Sequence, residues 1–322
     1  MKTMTEKIFT HPLGIIAAAA GATFLWGSAF PFVKLSYAEL NIGKEDVFEQ
    51  ILFAGYRFVL ASILILVLMK LIGKKVAYQR GTLLKVGRIG LFQTLLQYVL
   101  FSYGISSTTG VQGSIIAGTT SFFQIILAHY MYASDKISLR KMIGLVVGFA
   151  GVILVGISKG SLTLHFGLAE ICLLLAMFFG ALGNVMSKKE SEHLEVLYMT
   201  SYQMLLGGLA IMAIGASGAG LLPFEMTWST TWMLLYLACI SALGFVVWNT
   251  VMKYNKVGSI SMYLFLIPVF GVFLSGAMLG EELHMFVWAA LVLVVSGIVI
   301  VNGKRTKAPT AGSETPGQEL TQ

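Results

Sequence analysis

Arg57 and Glu170 are the two formally charged residues that stand well inside long apolar runs. A charge kept among apolar neighbours is costly, so it is retained for work: moving a proton, meeting an ion, or holding helices together. Arg57 lies five or six residues from the end of its run, close enough to snorkel outward as a structural charge. Glu170, the one carboxylate inside such a run, suits a proton-coupling role. Other runs carry groups fitted to a polar organic solute. Trp26, Phe101, Trp248 and Tyr263 offer stacking faces, while Gln97, Thr120, Gln124 and Asn184 offer hydrogen-bond donors and acceptors. Gln93 and Gln97 stand four apart, and Gly113, Ala117, Thr120 and Gln124 recur at helical spacing as one small, polar face. The matching face of a later run shows Ser259, Tyr263, Leu266 and Phe270. Such a face reads equally as a cavity wall or as a close-packed helix seam.

The elements that position these residues follow from composition. Of 322 residues, 57% are hydrophobic and 11% charged, against about 25% charged in a soluble domain. From Ile89 to Ser134, 46 consecutive residues carry no Asp, Glu, Lys or Arg, enough for two crossings of a hydrocarbon core about 30 Å thick. Apolar runs of that kind predict an all-α integral membrane protein with ten spans, at 13–33, 51–70, 87–105, 111–132, 141–157, 164–187, 196–216, 229–252, 257–279 and 285–302. The basic, apolar start imitates a secretory signal but runs from Leu13 to Val33, so it is read as the first span. Residues 1–12 form an N-terminal segment, and 304–322, rich in Pro, Gly, Ser, Thr and Glu, a disordered tail. With an even number of spans both termini share one side. That side carries 18 of the 22 Lys and Arg and the other side 3, which makes both termini cytoplasmic. Topology and anionic lipid account for the net charge of +7 with no nucleic acid as partner. Cys172 and Cys239 sit in apolar runs, as packing residues rather than a disulfide or metal pair.

The chain also repeats itself. Tyr56-Arg57 matches Tyr202-Gln203 at an offset of 146, Gly151 to Val155 matches Gly297 to Val301 at the same offset, and Ser134-Asp135 falls on Gly280-Glu281. Gln97 to Phe101 aligns with Gly244 to Trp248 at 147, and Gly27 with Gly180 at 153. Residues 13–157 and 158–303 are thus two repeats of five spans each, and an odd number forces them to cross the membrane in opposite senses. An inverted repeat implies halves that exchange conformations, opening a central site to either side in turn.

Two halves of five spans, Trp26-Gly27-Ser28-Ala29-Phe30, Tyr56-Arg57-Phe58 and Gly280-Glu281 resemble the drug/metabolite transporter superfamily, in particular its EamA-type ten-helix members. The resemblance implies a secondary carrier of the bacterial inner (plasma) membrane with both termini inside and a central cavity lined by spans one, three, four, six, eight and nine, and it implies efflux. Family members carry amino acids, nucleobases, sugars, cationic drugs and other metabolites, so no single substrate is implied. Ser134-Asp135 departs from the Gly-Glu usual in such families, and Gln203 replaces the Arg of the first half.

On this reading Trp26, Gln97, Phe101, Thr120, Gln124, Asn184, Trp248 and Tyr263 contact a small polar or amphipathic metabolite, and Glu170 and Arg57 serve coupling or structure. Pro31 and Pro268 are expected to kink spans one and nine. Gly144 with Gly148, and Gly276 with Gly280, read as close-packing GxxxG pairs, leaving open a homodimer through span five or ten. No GxxxxGK[ST] run is present to hold nucleotide phosphates, and no HExxH pair or carboxylate cluster suggests a catalytic or metal centre. Neither an enzyme nor a cofactor is expected. A channel or scramblase-like path is the alternative reading of the duplication.

Overall fold

A computed structural model describes residues 3–157, 167–280 and 286–302. The tail at 304–322, the expected first residues of span six at 164–166 and Glu281 lie outside the described residues.

Helix follows helix through the described chain, with no strand among the described residues. A short α1 (Met4–Thr10), its N-terminus capped by the Thr3 hydroxyl, leads into α2 (Pro12–Glu39), which begins on a proline whose missing N–H costs nothing there. Then come α3 (Val47–Leu71), α4 (Leu83–Ile89), a π-helical segment (Gly90–Leu96) and α5 (Gln97–Ser107), the last three joined through helical backbone. The first half closes with α6 (Gly110–Ala117), α7 (Thr120–Met131) and α8 (Leu139–Ile157). The second contains α9 (Leu168–Glu190), α10 (Val196–Ala219), α11 (Trp228–Tyr254), α12 (Val257–Ser261), a 3-10 turn (Met262–Phe265), α13 (Leu266–Leu279) and α14 (Phe286–Asn302). Six stretches, α2, α3, α9, α10, α11 and α12 through α13, are long and apolar enough to cross a membrane, the shortest having 23 residues, or about 35 Å at 1.5 Å per residue.

The usual polarity of a globule is reversed. Ile63, Val67, Val146, Val292 and Val299 face outward, whereas Gln93, Gln124, Gln203 and Ser241 are fully buried. Lipid accepts the first set, and the second set must find hydrogen bonds inside.

Repeat-related helices pair with one another. Helices α3 and α10 make the most extensive helix contact, and α8 with α14 the next. Glycines let the backbones approach: a Cβ on Gly55 would lie 2.7 Å from the Met212 Cα, and one on Gly297 would lie 2.7 Å from the Gly144 carbonyl oxygen. The Gly144/Gly148 surface is therefore used within one chain, against α14 and the Phe265 ring. Hydrogen bonds are reciprocal as well. The Tyr56 hydroxyl donates to the Leu221 carbonyl and the Tyr202 hydroxyl to the Val76 carbonyl. Arg57 Nε donates to Ser241 Oγ at 2.7 Å, and at the equivalent place Thr94 Oγ1 donates to Gln203 Oε1 at 2.7 Å.

Four local expectations are corrected. Span four is not one helix: Gly118 and Thr119 separate α6 from α7, their N–H groups bonding three residues back to Ile115 and Ile116. Hydroxyls of Thr119 and Thr120 satisfy the Ile116 and Ala117 carbonyls, which keeps the break tolerable in an apolar setting. Pro268 does not kink a helix midway; it sits in the first turn of α13, where a missing N–H is tolerated, and the break is the preceding 3-10 turn. Pro31 lies inside α2, which continues unbroken through it. Gly280 is a left-handed helix cap with φ 68° rather than a packing surface.

Candidate functional site

The two broken helices fall at equivalent places in the repeat, and a cavity lies between them. The interruption at 118–119 plus the offset of 146 gives 264–265, inside the 3-10 turn. Ala117 and Thr120 flank the first break, Leu264 lies within the second and Ile267 just beyond it, and all four line the cavity. About 70 Å³ of it is open to the centres of water molecules, room for several waters or a small solute. Its other walls are aromatic (Trp26, Phe30, Tyr98, Phe101, Phe245) and polar (Arg57, Gln97, Asn184), with Met177 and Gly180 from α9.

Amides close one end. Ser187 Oγ donates to Gln93 Oε1 at 3.1 Å, Gln93 Nε2 to Asn184 Oδ1 at 2.6 Å, Asn184 Nδ2 to Gln124 Oε1 at 2.8 Å, and Gln124 Nε2 to Ser261 Oγ at 2.8 Å. The chain ends where Ser261 Oγ donates to the Val257 carbonyl at 2.7 Å. It links the π-helical segment and α7 of the first half to α9 and α12 of the second. The π segment brings Gln93 into line, its Cα only 2.7 Å from where a Cβ on Gly183 would stand.

Aromatic rings close the other end. A smaller cavity, lined by Val33, Tyr37, Phe53 and Ser102 among others, shares Arg57, Tyr98 and Phe101 with the main one, so these three form the partition between the two spaces. Phe101 packs on Phe30 and on Tyr98 with centroids 5.8 Å apart in both pairs. The Arg57 guanidinium carbon stands 5.3 Å from the Phe58 centroid and 5.6 Å from that of Tyr98.

Five of the eight residues expected to meet a solute line the cavity: Trp26, Gln97, Phe101, Thr120 and Asn184. The other three do not. Gln124 is spent on the amide chain, Trp248 is fully buried behind Trp26 with ring centroids 5.5 Å apart, and Tyr263 is buried within the 3-10 turn. Arg57 departs from the snorkelling expectation, being 3% exposed and turned inward. Glu170 is not deep in a span. It is the third residue of α9, accepting from the Gly167 N–H and from Gln112 Nε2, each at 3.0 Å; a carboxylate there meets the positive end of the helix. Phe30, Tyr98, Met177 and Phe245 were missed. Phe30 stands four residues after Trp26, and Met177, Gly180 and Asn184 share helical spacing, so a helical projection from the expected residues reaches several of them.

Residues 13–157 and 167–303 each match the EamA-like transporter family, one repeat after the other. The chain belongs to that family. Relatives of this EamA-like transporter extend along nearly its whole length. It is 24% identical to the uncharacterized transporter YoaV of Bacillus subtilis, over 89% of this chain and 94% of the relative, and 28% identical to YvbV of the same organism, over 90% and 91%. An uncharacterized transporter of Archaeoglobus fulgidus is 24% identical over 87% of this chain and 94% of its own. A solved crystal structure superposes with a TM-score of 0.69 at 14% identity, covering 91% of this chain and 97% of the other, which speaks for the fold. The protein is a multi-pass membrane protein of transporter type, acting on small molecules.

Proposed function

We propose that the protein is a secondary carrier that moves a small polar or amphipathic metabolite, an amino acid or related compound, outward across the bacterial plasma membrane by alternating access. Its ten spans form two inverted five-helix repeats with both termini cytoplasmic, and no cofactor takes part. The observation that carries this reading is the cavity between helices broken at repeat-related positions, the arrangement expected of a carrier's central site. Closure by amides on one side and rings on the other supports a carrier over a continuous channel or lipid path.

Counterflow of a labelled metabolite panel in liposomes, with and without a pH gradient, tests it. Specific exchange is expected, and Gln97→Ala or Thr120→Ala should reduce it without impairing insertion; exchange of nothing, or unselective leakage, would sink the carrier reading. Proton coupling falls to Glu170, whose carboxylate bridges the two halves through Gln112. Glu170→Gln is therefore expected to abolish stimulation by the pH gradient while leaving counterflow in place. Full stimulation in that variant would remove Glu170 from the coupling.

A further inference from the structure

Resting on the carrier reading, we propose that Arg57 is the anchor for a carboxylate on the transported solute, so that the substrate is an organic carboxylate with an apolar side. Only the Nε–H of Arg57 is engaged, donating to Ser241 Oγ at 2.7 Å and to the Leu237 carbonyl at 3.2 Å. The two terminal nitrogens carry the remaining donors, and among the described residues they have neither a hydrogen-bond acceptor nor a carboxylate to pair with. The side chain is 3% exposed and lines the cavity. A buried cation left with open donors at the wall of a cavity is set up for a bidentate anion.

The repeat supplies an internal control. Gln203 occupies the place of Arg57 in the other half and meets the equivalent partner, accepting from Thr94 Oγ1 where Arg57 Nε donates to Ser241 Oγ. A neutral amide thus suffices for the helix contact that Arg57 Nε makes, and the charge is surplus to packing. The surplus falls on the copy that lines the cavity, whereas Gln203 does not line it. Among the described residues no Asp or Glu lines the cavity either, so its net charge is positive and a cationic solute finds no partner there. The rings of Trp26, Phe30 and Phe245 line the same cavity and present apolar surface to the rest of the solute.

The test compares carboxylates with their carboxamides. Wild type, Arg57→Gln and Arg57→Lys in liposomes are assayed for counterflow of 3-phenylpropionate, L-phenylalanine and L-leucine, each against its carboxamide, alongside neutral sugars and simple amines. Carboxylates are expected to exchange and their carboxamides not; Arg57→Gln should raise the half-saturating carboxylate concentration by roughly tenfold to hundredfold, and Arg57→Lys by less. Exchange of 3-phenylpropionate assigns a plain acid, and exchange of the two amino acids alone assigns a zwitterion; both support the anchor. Equal exchange of acids and amides, selective exchange of sugars or amines, or unchanged carboxylate handling by a folded Arg57→Gln overturns the anchor and leaves the carrier standing. Exchange of no panel member by wild type overturns the carrier reading and the anchor with it. Should Arg57→Gln fail to fold, the acid-against-amide comparison on wild type decides the question alone.

Discussion

Gly215→Val is expected to lower the thermal midpoint of the detergent-solubilised protein by about 5 °C or more, while Gly21→Val leaves it nearly unchanged. Both changes put the same side chain on a helix, so their shared propensity effect cancels. The difference is what each Cβ meets. At Gly215 it would lie 2.4 Å from the Leu52 backbone nitrogen and 2.5 Å from its Cα, whereas at Gly21 nothing lies within 4 Å. Backbone cannot rotate away as a side-chain tip can, so α3 and α10 must separate. Overpacking of this kind costs about 1–3 kcal/mol and sometimes more, against a total stability of about 5–15 kcal/mol. The pair α3/α10 is also the broadest contact between the halves, so the loss is not local. Fluorescence-monitored melting and size-exclusion profiles of the two variants read the effect directly. Matching midpoints would mean that the helices are not held at the separation described here.

How much of this was legible beforehand depends on the kind of physics involved. Hydropathy and charge act residue by residue, and they located the long helices: the expected span 51–70 is contained in α3, and 196–216 in α10. Residue chemistry, with helical spacing on spans three and four, singled out Trp26, Gln97, Phe101, Thr120 and Asn184, which line one cavity. What failed was whatever depends on a partner far along the chain. The breaks at Gly118–Thr119 and Met262–Phe265 have no proline at their centres; threonine hydroxyls meet the Ile116 and Ala117 carbonyls at the first, and Ser121 Oγ reaches across to the Ser261 carbonyl just before the second. Arg57 looked able to snorkel from its depth alone; its inward turn is set by Ser241 and Leu237, some 180 residues away. Glu170 was taken as a deep carboxylate because the apolar run was drawn from 164, while the described helix begins at Leu168. The offset of 146 between Arg57 and Gln203 was visible at once. Its meaning was not, since only the contacts reveal that Gln203 meets the partner equivalent to that of Arg57 as an acceptor and without a charge.

Asn184→Ala is expected to open the amide-closed end of the cavity. Asn184 is the middle of the chain, accepting from Gln93 and donating to Gln124, and it joins α9 of one half to two elements of the other. Its loss leaves Gln93 Nε2 and the Gln124 carbonyl oxygen short of a partner at a buried position, at about 1–3 kcal/mol for each group that stays unsatisfied. Water entering from that end would restore both bonds, so the penalty falls on the closed arrangement and much less on an open one. A differential of about 2 kcal/mol is roughly a 30-fold shift in their ratio. On the proposed topology, with both termini cytoplasmic, this end faces the cytoplasm, as Lys188 and Lys189 follow Asn184 on α9. A cysteine replacing the cavity residue Ala117, in a chain with Cys172 and Cys239 changed to serine, reports the opening. With Asn184→Ala added, an impermeant thiol reagent applied from the cytoplasmic side should label it roughly tenfold faster or more, and substrate exchange should fall. Asn249→Ala is the control, because Asn249 donates to Thr200 Oγ1 at 3.0 Å, is equally buried and does not line the cavity. It should lower stability without speeding the labelling. If both variants speed labelling alike, the effect is general loosening; if neither does, the amide chain supports the helices and some other contact closes the cavity.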